Sequence, residues 1–113
     1  MTIASKGFGE QVLTMQSQSA ISAGTPVKLT GNYTVSAASA DDAFCGVALS
    51  CREGLCAVQL RGSVTLPYSG TAPSVGAAVL AANGEGGVAQ AETGTSVLVL
   101  AVDSTASTIT CLL

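Results

Sequence analysis

The 113-residue chain has no histidine, no tryptophan and only four basic residues. Without histidine, Ser-His and Cys-His catalytic pairs are excluded, and thiolates and carboxylates are the remaining metal ligands. With no tryptophan and only Tyr33 and Tyr68, there is little aromatic surface for a sugar ring to stack on. The basic residues Lys6, Lys28, Arg52 and Arg61 are scattered. Phosphate backbones are bound by clustered Lys and Arg, so no nucleic-acid partner is expected. No run reaches the ~18 apolar residues of a helical membrane span, so no membrane partner is expected either. The first ten residues, MTIASKGFGE, lack the basic start and apolar stretch of a secretory signal. The expectation is a chain made and used in the cytosol, or in a particle assembled there, with its thiols reduced.

The carboxylates Glu10, Asp41, Asp42, Glu53, Glu85, Glu92 and Asp103 form no spaced calcium loop. Gly84-Glu-Gly-Gly87 lacks the lysine and following helix of a phosphate loop. No catalytic residue, cofactor or metal is expected, and the chain reads as a non-enzyme.

Gly, Ala, Ser, Thr and Val dominate instead, and charged residues make up only 10%. Many β-branched residues with frequent glycine point to an all-β fold with tight turns and little or no helix. The expectation is a compact β-barrel or sandwich of roughly 8–10 short strands.

A weak internal repeat supports this. Gly24 matches Gly76 and Val27 matches Val79, each 52 apart; Val35 matches Val88, 53 apart. At the same offset Cys45–Ser50 lies over Leu98–Asp103, and Leu55–Leu60 over Thr108–Leu113. The reading is two copies of one β unit, about 22–66 and 74–113, in a single β domain 22–113. Residues 1–21 lie outside it, as an N-terminal arm or an edge strand. Cys56, Val58, Leu60, Val64 and Leu66 alternate with Ala57, Gln59, Arg61, Ser63 and Thr65, so one long strand with one buried face is expected there, stopped by Pro67. Val97–Val102 is continuously apolar and reads as a central strand covered on both faces. Asn83-Gly84 signals a type I′ hairpin, with positive φ at both residues, widened by Gly86-Gly87. Asp41 and Asp42 are placed in a polar loop or one helical turn.

The repeat also places the cysteines. Ile109 falls where Cys56 does, and Cys111 where Val58 does, so cysteine exchanges with Ile and Val as a small core residue. The spacing C-x5-C-x4-C does not suit zinc, which favours C-x2–4-C pairs. Cys51 and Cys56 flank Arg52-Glu-Gly-Leu55, a plausible hairpin loop, and would face each other across its base. Free thiols are the expectation, with a Cys51–Cys56 disulfide the structural alternative.

A57-V-Q-L-R-G-S-V-T-L-P67, V75-G-A-A-V79, a glycine-rich turn with Val88, and V99-L-A-V102 with I109-T-C-L112 resemble a family of bacteriophage capsid cement, or head decoration, proteins. Gly24-Thr-Pro-Val27 and Gly46-Val-Ala-Leu49 resemble the same elements in the first unit. Leu98–Val102 departs from the glycine-initiated strand usual there, and the cysteines have no place in the family pattern. The resemblance implies a non-enzymatic structural protein on the outside of the virion, assembled in the host cytoplasm. Its partner would be the major capsid protein, and it would sit on the shell as a homotrimer. It further implies an N-terminal arm that adds a strand to the capsid or a neighbour, with Phe8, Val12 and Leu13 as anchors. The other reading of these three residues is that they close the chain's own barrel. Alternatives to decoration are a tail or head-fibre module, or a non-viral adhesive or carbohydrate-binding β domain.

Overall fold

The protein is represented by a computed structural model that describes residues 10–113. They form ten strands and no helix: β1 (Gln11–Ser17), β2 (Pro26–Gly31), β3 (Thr34–Ala37), β4 (Gly46–Arg52), β5 (Leu55–Arg61), β6 (Ser63–Pro67), β7 (Gly76–Ala82), β8 (Val88–Gln90), β9 (Thr95–Asp103) and β10 (Thr108–Leu112). The segment with Asp41 and Asp42 is a loop.

The first five strands close into a barrel in the order β1-β3-β2-β4-β5, and the last five form a sheet in the order β6-β10-β9-β7-β8. These are the same topology twice, with β6 in the place of β1. In the first unit β1 pairs with β3 in parallel and closes the barrel. In the second, a single parallel bridge between Tyr68 and Val88 stands at the equivalent seam. The unit that repeats therefore begins at β1, not at residue 22. Residues 11–17 pair along β5 as a barrel strand, because Met15 and Ser17 turn inward while their main chain completes the ladder.

Turn chemistry sets the register within each unit. Glu53 and Gly54 have φ of 52° and 80°, the two positive-φ positions of a type I′ turn, and they join β4 and β5 in two residues. The matching loop between β9 and β10 is longer, Ser104–Ser107, and is held by Asp103 Oδ1, which accepts from the N–H groups of Thr105 and Ala106. Those two extra residues change the repeat offset. Pairing with β5 and β10 puts Ala48 level with Val99 and Cys51 level with Val102, 51 apart. The constant offset of 53 holds for the β5 and β10 strands and fails for β4 and β9.

Three other expectations change. The run from Cys56 to Leu66 is two strands, because Gly62, at φ +104°, redirects the chain from the barrel into the second sheet. Gln59, on the side expected to be wet, is buried; its amide donates to the carbonyls of Arg61 (3.0 Å) and Ser63 (3.2 Å) at this junction. Asn83 does not adopt positive φ. Its side-chain carbonyl accepts from the N–H groups of Glu85 and Gly87, which organises a five-residue loop, with positive φ at Gly84 and Gly86.

The smaller core fills the first barrel with Met15, Ile21, Val27, Val35, Ala48, Cys56 and Val58. The larger core combines second-unit residues such as Leu66, Leu80, Val88, Val99, Ile109 and Cys111 with Ala38, Phe44 and Val47 from the first unit. The β3–β4 connection thus belongs to both units. Its main chain bonds Ala82 twice, Asp41 N–H to the Ala82 carbonyl and Ala82 N–H to the Asp42 carbonyl, each 2.9 Å. Burial of these apolar side chains, at about 25 cal/mol per Å², is the main favourable term holding the units together.

Candidate interaction surface

The cysteines make no chemical site. The type I′ turn brings Cys51 and Cys56 into register, and they are joined by a disulfide with an S–S distance of 2.05 Å, against the expectation of free thiols. In the second unit the same cross-strand pair is Val102 and Ile109. Cys111 is a buried core residue, and burial pushes its thiol up to about 11. Cys45 is exposed, and partial desolvation raises its thiol above the ordinary value. A thiol held protonated is a poor nucleophile and a poor metal ligand. Among the described residues, no cluster of three or more cysteines and carboxylates is arranged to hold a metal.

Charges are few and peripheral. Lys28 Nζ lies 2.6 Å from Asp42 Oδ2, and the same carboxylate oxygen accepts from Ser39 N–H at 3.0 Å. Both contacts hold Asp42 below its usual value. Tyr33 is exposed at the tip of the β2–β3 hairpin, whereas Tyr68 packs against the second-unit core. They lie in different units and form no paired aromatic platform.

The distinctive surface is on β9. Val97 and Val99 are buried, as the apolar run suggests, but Leu98 and Leu100 are 44% and 40% exposed. The strand is central, between β7 and β10, yet only one of its faces is covered. Leu98 stands directly opposite Ala77 on β7 and Leu112 on β10. Thr110, two residues before Leu112, bonds Thr65 across to β6, hydroxyl to hydroxyl at 3.1 Å. Ala77, Leu98, Leu100, Thr65, Thr110 and Leu112 share this outer face by alternation, and none is charged.

Leu100 sits at a β-bulge, opposite no single residue of β10, between the Val99–Cys111 and Ala101–Thr110 pairs. Leu49 sits at the corresponding bulge in β4, between Ala48–Val58 and Ser50–Ala57, and is 43% exposed. A bulge re-aims a side chain locally, and both units use it to expose a leucine at the equivalent place. Neither leucine stands out from the sequence alone, because bulges are invisible to strict alternation.

Of the other candidate contact residues, Val12 and Leu13 are both exposed. Leu13 pairs with buried Val58, which turns it toward the barrel mouth. There it lines an apolar cup of about 600 Å³ with Met15, Leu29 and Tyr33. Val12 points the other way, so the two do not form one anchor. Phe8 lies outside the described residues.

The chain matches no model of a known protein family and no curated protein sequence.

Proposed function

We propose that this protein is a structural component of a phage virion that decorates the capsid exterior, bridges major capsid subunits and carries no enzymatic activity. The observation that supports this reading best is the uncharged outer face around Leu98 and Leu100. Monomeric proteins seldom leave contiguous apolar patches open, and interface centres are depleted of charge. The low charge, the missing histidine and the resemblance of residues 22–113 to capsid cement proteins point the same way. Val12 and the bulge leucine Leu49 extend the apolar surface available to a shell or to neighbouring copies in a trimer. The mechanism is mechanical: a rigid pair of β units spans a subunit boundary and adds burial that must be broken before the subunits part.

The test is co-sedimentation with expanded heads built from the major capsid protein of the phage that encodes this chain. Saturable binding, with heads that then resist heat better, is the expected result. Leu98→Asp with Leu100→Asp should abolish binding while leaving the fold intact, since both side chains are solvent-exposed. A chain that stays in the supernatant at micromolar concentration overturns the proposal.

A further inference from the structure

The two units are packed head to tail, and the contact that joins them has an unmatched counterpart on each unit. The bulges fix the equivalences. Leu49 corresponds to Leu100, so Val47 corresponds to Leu98, and their partners Gln59 and Leu112 correspond as well. Through β5 and β10, Leu13 of β1 then matches Val64 of β6, and Met15 matches Leu66.

Within the chain, the first unit supplies a plug and the second a socket. Phe44 and Val47 are buried in one core with Val64, Leu66 and Ala82. The β3–β4 connection, residues 38–45, lies over the end of β7: its main chain bonds Ala82 twice, and a Cβ on Gly84 would stand 3.1 Å from Ala40 N. The mouth of the second unit, between β6 and the β7–β8 loop, is therefore closed by the first unit.

Both surfaces recur without a partner among the described residues. The mouth of the first unit, between β1 and the β2–β3 turn, is the open cup of about 600 Å³; Leu13 is exposed there, whereas its counterpart Val64 is buried. On the second unit Leu98 is exposed where Val47 is buried, and Leu112 is half-buried where Gln59 is fully buried. Neither the cup nor the β9 face carries a charged side chain. Stacked repeats ordinarily end in a polar outer face that stops the stacking, and neither of these surfaces is capped in that way.

We propose that the occupant of each surface is a second copy of this chain. The β9 face around Leu98 of one copy seats on the cup of the next copy's first unit, which continues between copies the relation that holds between units. The contact is heterologous: each partner uses a different surface, so copies add in one direction into a ring or a filament. The connection entering β9 is residues 91–94, four residues where 38–45 has eight, and it contains no phenylalanine. The contact between copies is thus shallower than the one inside the chain, and association depends on concentration. The inference stands apart from the capsid reading, since it is tested on the protein alone.

Sedimentation equilibrium on the Cys45→Ser chain, whose exposed thiol can no longer link copies, supplies the experiment. The mean mass should rise above the 11.0 kDa of one chain as concentration goes from micromolar to millimolar. Leu29→Asp damages the cup and Leu98→Asp the β9 face; both side chains are exposed, so circular dichroism should not change. Each variant alone should stay monomeric. Mixed in equal amounts, they should form a dimer and go no further, because one brings an intact face and the other an intact cup. A parent chain that is monomeric at millimolar concentration overturns the proposal. So does association that either variant leaves unchanged, and so does a mixture that remains monomeric, since cup and face would then not be partners.

Discussion

Thr95 Oγ1 donates to the carbonyl of Phe44 at 2.7 Å and accepts from the N–H of the same residue at 3.0 Å. One hydroxyl on the second unit thereby satisfies both main-chain groups of a first-unit residue whose side chain lies in the shared core. Thr95→Val keeps the shape and removes both bonds. Two partly buried backbone groups lose their partner, which should cost about 2–3 kcal/mol. Urea unfolding should show the loss as a lower midpoint, and Thr95→Ser should restore most of it. A valine variant as stable as the original would mean that this pair of hydrogen bonds adds nothing net to the contact between the units.

Gly46 begins β4, and there is no room for a side chain at this position. A Cβ there would stand 2.5 Å from the Gln59 carbonyl oxygen and 2.9 Å from Val58 Cγ1. Both atoms belong to β5, one of them main chain and the other on a fully buried valine, and neither can yield easily, so Gly46→Ala should destabilise by about 3 kcal/mol. Gly31→Ala is the control, since its nearest neighbour is at an ordinary 3.7 Å. Chemical denaturation of the two variants side by side checks the contrast.

Thiol counting tests the cysteine assignments. Of four cysteines, Cys51 and Cys56 are bonded, Cys45 is exposed and Cys111 is buried. Alkylation of the native, unreduced protein at mildly alkaline pH should label Cys45 alone. Cys111 should react only on unfolding, because it is inaccessible and its thiol titrates near 11. Cys51 and Cys56 should need reductant as well, and mass spectrometry reads each step. Reduction should lower stability by about 2 kcal/mol, the chain-entropy value for so small a loop.

The Lys28–Asp42 pair predicts a modest acid sensitivity. Folding depresses the Asp42 carboxyl below its unfolded value near 3.8. Its contribution is therefore complete above that value and is lost as pH falls through the lower folded one. The pair is partly exposed and screened by salt, so the effect is small. Stability measured from pH 6 down to pH 2 should fall less in Asp42→Asn than in the original chain, and added salt should narrow the difference. Equal slopes would place the acid response elsewhere.

Leu98 and Leu49 show where reading the sequence stops. The apolar run Val97–Val102 marks a strand with a buried side at Val97 and Val99, and that much is legible in its residues. Whether Leu98 and Leu100 are covered depends on what packs across the other face, and among the described residues nothing does. The equivalence of Leu49 and Leu100 is equally hidden, because it rests on two bulges and on a loop two residues longer in the second unit.

By itself the sequence determined the all-β class, the alternation that buries Cys56, Val58, Val64 and Leu66, and the absence of histidine-based chemistry. These follow from side-chain types and from the two-residue period of a strand, which are properties of the local chain. Only the tertiary structure decided that β1 closes the first barrel, that Gly62 turns one apparent strand into two, and that Phe44 belongs to the second unit's core. It also decided which leucines stay wet. Each of these depends on main-chain pairing or packing between segments that composition and alternation do not connect.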